Sequence, residues 1–180
     1  GYSIPQSFAA VSWAAQRDFL MTLVVSACGL AHGVLPSMIE RKRGSIINIA
    51  SLAGFAPGAA GHSLYPGAKS LMIKFSQSLD AEYRSKGVRV TVVCPGFTRT
   101  EFAAANGTQG IMDASPRLFF MTASQVVEAT IAANAEGRVV VTPGWHNKVA
   151  AVLLQYLPQA WVSAAVRAGA RRYHLGGEVA

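Results

Sequence analysis

Apolar and polar positions change along this chain in blocks, each the length of one secondary-structure element. Residues 13–43 are Ala-rich and apolar, and they predict a helix that Pro36 bends or breaks near its end. Gly44 closes it. Residues 45–50 form a β-branched run between turn residues, the pattern of a strand buried on both faces. Residues 51–61 are rich in Gly, Ala and Pro and predict a loop. A helical pattern returns over 63–86. Leu64, Ala68, Leu71, Met72, Phe75 and Leu79 fall on one face, with Lys74, Asp80, Glu82 and Arg84 off it. Gly87 stops this helix in the left-handed manner.

Residues 88–94 read as a second buried strand, ended by Pro95-Gly96. A loop or short helical flap follows over 97–121. A third helix is expected over 123–135, capped by Thr122 or Ser124 and ended by Gly137. Residues 139–142 predict a third strand, and 148–172 a helical tail broken at Pro158. Strands alternating with helices of this length pair in parallel through right-handed crossovers, so the fold class is α/β. No repeat or linker divides the chain.

Composition narrows the picture. The 180 residues suffice for one domain, and 51% apolar against 14% charged residues excludes disorder. Cys28 and Cys94 are too few for a disulfide framework and read as buried free thiols in a reducing, cytoplasmic compartment. The net charge of +7 raises nucleic acid as a partner. The only basic run is Arg41-Lys42-Arg43, at a helix end where cations offset the dipole, with no interleaved aromatics; nucleic acid is therefore not expected. Residues 19–39 carry no charge, which is long enough to span a bilayer. Ser26, Gly29, His32, Gly33, Pro36 and Ser37 dilute the run, and a mostly buried helix accounts for it better. The first residues have neither a basic start nor an apolar core, so no signal peptide is expected.

The candidate chemistry lies in Ser51, Tyr65 and Lys69. Tyr65 and Lys69 stand one helical turn apart on one face. An ammonium beside a phenol stabilises phenolate and draws the Tyr pKa from about 10 towards neutrality, giving an acid/base usable near pH 7. Ser51 ends the preceding strand, where parallel sheets place ligand-binding groups, and its hydroxyl can hold a carbonyl oxygen against the Tyr.

Tyr-x-x-x-Lys alone is a weak pattern. With Gly44-Ser-Ile-Ile-Asn-Ile-Ala-Ser51-Leu-Ala-Gly54 before it and Val93-Cys-Pro95-Gly96-Phe-Thr98-Arg-Thr100 after it, the chain resembles the short-chain dehydrogenase/reductase family over nearly its whole length. The resemblance implies the C-terminal half of a Rossmann-like doubly wound sheet, about three parallel strands with flanking helices. Residues 1–145 would carry the catalytic motif and 146–180 a helical tail. It implies Tyr65 as acid/base and as a cofactor contact, and Ser51 as the group orienting the substrate carbonyl or hydroxyl. Lys69 would bind the nicotinamide ribose and depress the Tyr pKa. Pro95, Gly96 and Thr98 would border the nicotinamide, and Thr100 would meet the cofactor's amide or phosphate. The cofactor would be NADP or NAD, with NADP favoured, and no metal is expected. Gly1 resembles the end of the Asn-Ala-Gly segment after the family's fourth strand.

Three departures stand out. Ser51 and Tyr65 are one residue further apart than is usual in the family. Leu23 stands where the family often has an Asn that links a water to the Lys. The Gly-rich loop that holds the cofactor pyrophosphate is not found, because Gly54, Gly58 and Gly61 follow the Ser strand. The chain is accordingly expected to be a piece of a polypeptide of roughly 250 to 280 residues, weak at binding dinucleotide alone and bare at one sheet edge.

The expected activity is interconversion of a carbonyl and an alcohol. The apolar residues of the 97–121 lid (Phe97, Phe102, Ile111, Met112, Leu118, Phe119 and Phe120) favour a lipophilic substrate. Rival readings are an epimerase or dehydratase sharing Tyr-x-x-x-Lys, and a non-catalytic or membrane-associated remnant. The first two helices match the pair through which relatives dimerise, predicting a homodimer or homotetramer. From Arg138 to Gly177 there are five cations and no acid, and the tail either packs over the cleft or lies on a membrane surface.

Overall fold

A computed structural model describes residues 2–58, 60–101 and 119–170. A long helix α1, Trp13–Glu40, is followed by β1 (Gly44–Ile49), α2 (Tyr65–Tyr83) and β2 (Val88–Val93). Then come β3 (Thr98–Arg99), β4 (Met121–Thr122), α3 (Ala123–Ala135), β5 (Val140–Val141), α4 (Trp145–Tyr156) and α5 (Gln159–Ala170). The main sheet has the order β1-β2-β5, all parallel, and β3 pairs with β4 in parallel beside it. This is the expected α/β arrangement. Gly1, the lid residues Phe102, Ile111, Met112 and Leu118, and the tail cations Arg171 and Arg172 lie outside the described residues.

β2 is the central strand, and Val88, Val90, Val92, Val93 and Cys94 are almost completely inaccessible. Ala31 and Leu35 of α1 and Leu79 of α2 close on Ile46, Val88 and Val90 to form one core; Met72 and Ile73 close on Val92, Cys94 and Ala50 to form the next. Apolar side chains from helix and strand leave water together, which is the main force holding the layers. Buried Asn48 donates to Ser76 Oγ at 2.9 Å and Ser76 in turn to Met72 O at 2.7 Å, so β1 and α2 also share a satisfied polar link.

Several details depart from the sequence reading. Pro36 lies inside α1 rather than breaking it, and a wide π-type turn over Met21–Val25 interrupts the helix instead. α1 is not mostly buried: Phe19, Leu23, Ala31 and Leu35 pack inward, while Met21, Val25, Leu30 and Val34 are exposed. Only 22% of its most apolar window is covered. Asp80, expected off the apolar face, is buried. It accepts from Arg84 Nε at 2.8 Å, Arg84 Nη2 at 3.0 Å and Val90 N at 3.2 Å, which ties the end of α2 to β2. Leu71, expected inside, is exposed. Of the two cap candidates Thr122 is the cap: its hydroxyl accepts from Gln125 N at 3.2 Å, and Gln125 Oε1 accepts from Thr122 N at 2.9 Å.

Candidate active site

The carboxyl ends of β1 and β2 meet at one edge of the sheet. Ala50 N donates to Val93 O at 2.8 Å and Leu52 N to Pro95 O at 3.0 Å, stitching the two departing chains together. Ser51 lies between these bonds in extended conformation, and its hydroxyl accepts from Ala53 N at 3.2 Å to cap the short 3-10 turn Leu52–Phe55. That turn can lie flat on α2 because Gly54 has no side chain. A Cβ there would come within 2.7 Å of Ile73 Cδ1 and 2.9 Å of the Lys69 carbonyl carbon.

Tyr65 and Pro66 form the first turn of α2, where a missing N–H is tolerated. One turn on, Lys69 Nζ donates to Ile49 O at 2.9 Å, 5.7 Å from the centre of the Tyr65 ring. Ser51 hydrogen-bonds the Tyr65 side chain. The structure thus brings Ser51, Tyr65 and Lys69 into one cluster built from a strand end and a helix start.

The electrostatics differ from the expectation. Burial raises the Tyr65 pKa above the ordinary 10.0, and the Ser51 hydrogen bond opposes that rise. Burial lowers the Lys69 pKa, with Cys94 opposing it. A phenol shielded from water loses the hydration its anion needs, so here it holds its proton more firmly than a free tyrosine.

Cys94, fully buried at the end of β2, is pushed up to about 12 from 9.0 by burial, with Lys69 working against the shift. The folded state then binds this proton more tightly than the unfolded chain, so Cys94 contributes stability that is complete below pH 9.0 and lost as pH rises towards about 12. Tyr65 adds the same sign above 10.0, whereas Lys69, with its lowered pKa, adds the opposite sign up to 10.5. Urea unfolding at about pH 8 and about pH 10.5 is expected to show a loss of roughly 1–3 kcal/mol for the unchanged chain and a smaller one for Cys94→Ala. Equal slopes would refute the assignment.

Pro95 and Gly96 follow directly. Thr98 Oγ1 donates to Gly96 O at 3.2 Å, and Thr100 lies exposed just beyond. The sequence reading missed Asn147. This buried residue on α4 donates to Pro143 O at 2.8 Å, and a Cβ on Gly96 would run into its Oδ1. Asn147 thereby seats α4 on the Pro95-Gly96 turn. No local pattern announces a contact between residues this far apart in the chain. Leu23 packs with Phe19 and Ala68, against the half-buried Tyr65 and Leu64, so an apolar side chain fills the place expected of a polar relay.

A concavity of about 680 Å³ lies at the opposite end of the sheet, where the strands begin, and is lined by Lys42, Arg43, Arg84 and Arg89 among others. Its cations serve the fold. Arg89 Nη1 donates to Ala135 O at 2.9 Å and Arg84 Nη2 to Gly137 O at 2.6 Å, satisfying carbonyls at the end of α3. Arg41 likewise donates to Arg43 O and Ser37 Oγ. The site at the strands' carboxyl ends is the place where a parallel sheet binds ligands.

Comparison with known proteins places the chain in a family. The family model for short chain dehydrogenase matches residues 1–110, and the chain belongs to that family. An uncharacterized oxidoreductase of Myxococcus xanthus is 35% identical over 155 residues, which are 86% of this chain and 58% of that protein. Human very-long-chain 3-oxoacyl-CoA reductase is 42% identical over 80 residues, 44% of this chain and 25% of that protein. A short-chain dehydrogenase from Sphingobium yanoikuyae, solved in complex with NADPH, superposes with a TM-score of 0.71 at 25% identity. The match covers 96% of this chain and 60% of that one. The chain therefore spans somewhat over half the length of the longer-matching relatives.

Proposed function

We propose that this chain carries the reaction centre of a nicotinamide-dependent oxidoreductase that interconverts a carbonyl and an alcohol. The observation that carries the reading is the cluster of Ser51, Tyr65 and Lys69 at the carboxyl end of β1. A nicotinamide cofactor, when bound, supplies or accepts the hydride. The residues present suit such a group. Lys69 spends one of its three donors on Ile49 O, leaving donors for a ribose hydroxyl. Pro95, Gly96, Thr98 and Thr100 line the neighbouring turn, and the NADPH complex of the Sphingobium relative supports a nicotinamide dinucleotide, for which we propose NADP ahead of NAD.

Ser51 would hold the substrate oxygen in hydrogen-bond reach of Tyr65. With its pKa raised, Tyr65 is protonated at neutral pH and suited to donate the proton as a carbonyl is reduced. In the reverse direction the phenol must first lose that proton, which a closer Lys69 ammonium would favour. The human relative's acyl substrate and the apolar lid sequence support a lipophilic carbonyl. The exposed Leu30, Val34 and Leu71 of α1 and α2 support a homodimer or homotetramer. The division into a catalytic part, 1–145, and a helical tail, 146–180, belongs to the same proposal.

The test is the full-length polypeptide containing these residues, assayed with NADPH and NADH against ketones of increasing chain length. The expected result is dinucleotide oxidation that improves with apolar length. No oxidation with any ketone, given a folded protein that binds dinucleotide, would overturn the reading.

A further inference from the structure

The helix that closes over the site buries only one of its faces, and the other is apolar. On its inner side Asn147 and Ala151 are buried, with Asn147 seated against Gly96 and the helix resting on the turn Leu52–Phe55. Trp145, Val149, Val152, Leu153 and Tyr156 recur at helical spacing and all face solvent. Trp145 is 68% exposed and Tyr156 80%, and Trp161 at the start of α5 is also 68% exposed. Ordinary surface helices put polar residues outward; this one puts indole and phenol rings at the two ends of an outward aliphatic stripe. Those ring types favour the boundary between hydrocarbon and water, since one end is apolar and the other forms hydrogen bonds.

The charge pattern selects the occupant. From residue 139 to residue 170 there are two cations, Lys148 and Arg167, and no carboxylate, while Arg138 just before them is paired with Glu136 at 2.8 Å. Lys148 follows Trp145 by three residues and precedes Val152 by four, so it flanks the stripe. An apolar stripe with aromatic ends and an uncompensated basic flank is complementary to anionic phospholipid.

We propose that the outward face of α4, continued by Trp161, docks this protein on an anionic membrane surface. The helix lies in the interface plane, with the rings at headgroup depth and Lys148 and Arg167 facing lipid phosphates. Because the inner face of the same helix rests on Gly96, docking sets the candidate site against the bilayer. The docking stands whether or not the oxidoreductase reading holds.

The experiment is co-sedimentation of the full-length polypeptide with phosphatidylcholine vesicles, with and without about a third phosphatidylglycerol. The expected result is binding to the anionic vesicles and at least about tenfold weaker binding to the neutral ones. Trp145→Ser with Tyr156→Ser is expected to weaken binding about tenfold or more, and Lys148→Glu with Arg167→Glu to act similarly. Val127→Ser with Ile131→Ser, an exposed apolar pair on α3, should leave binding unchanged. Circular dichroism checks that each variant is folded. Absence of binding to anionic vesicles overturns the proposal, as does binding indifferent to the α4 variants. So does an α4 variant that instead converts a dimer to a monomer, which would assign the face to a second copy. Ketone reduction without vesicles is read separately, so failure of docking and failure of the catalytic reading are distinguishable.

Discussion

Tyr65→Phe is expected to lower ketone turnover by the full-length polypeptide about 10²- to 10⁴-fold, the usual weight of a positioned general acid. The substitution removes one oxygen and keeps the ring. Tyr65 stands in the first turn of α2, half-buried against Leu23 and Phe19, and that packing survives the change. The lost groups are the proton donor and the hydrogen bond with Ser51. Dinucleotide affinity should therefore change little while kcat collapses. Lys69→Met is expected to behave differently: it deletes the donor to Ile49 O, so weaker dinucleotide binding and some loss of stability accompany any fall in kcat. The measurement is kcat and KM for ketone and dinucleotide in both variants, with dinucleotide affinity by fluorescence. Undiminished kcat in Tyr65→Phe would remove Tyr65 from the mechanism.

The largest effect on stability is expected at Gly87. This residue ends the turn after α2 with φ +83°, and a Cβ there would overlap the carbonyl of Lys42, in the turn after α1. Gly87 O also accepts from Gly44 N at 3.1 Å, so two turns are joined backbone to backbone where β1 and β2 begin. Gly87→Ala adds left-handed strain and a clash with backbone that no rotamer relieves, about 3–5 kcal/mol in all. Gly137 is the internal control. It also has positive φ, +72°, but a Cβ there meets only the end of the Arg84 side chain, at 3.0 Å, and no backbone. Gly137→Ala should cost only about 1–2 kcal/mol. Urea unfolding of the two variants separates conformational strain from the steric term. Equal losses would show that the Lys42 contact is relieved cheaply.

Local chemistry made much of this protein legible. Gly87 and Gly137 announce helix ends, Thr122 announces a helix cap, and the β-branched runs around Ile46 and Val90 announce buried parallel strands. The spacing of Tyr65 and Lys69 puts both on one side of a helix, because 3.6 residues per turn is a property of the backbone alone. Asp80 was misread because helical periodicity records polarity and not partners. Only the approach of Val90 N and Arg84 makes a buried carboxylate tolerable there.

The sequence by itself determined the order of the main helices and strands, the parallel sheet and the placing of Tyr65 and Lys69 one helical turn apart, because each follows from short-range sterics, periodicity or spacing. Tertiary structure alone decided the rest. It set Asn147 against Gly96 and Cys94 beside Lys69, it raised the Tyr65 pKa by burial, and it left one face of α1 and the aromatic stripe of α4 towards solvent. A pattern of apolar residues shows that a face seeks cover. Whether anything covers it depends on how distant segments are placed, and that information is not local to the stripe.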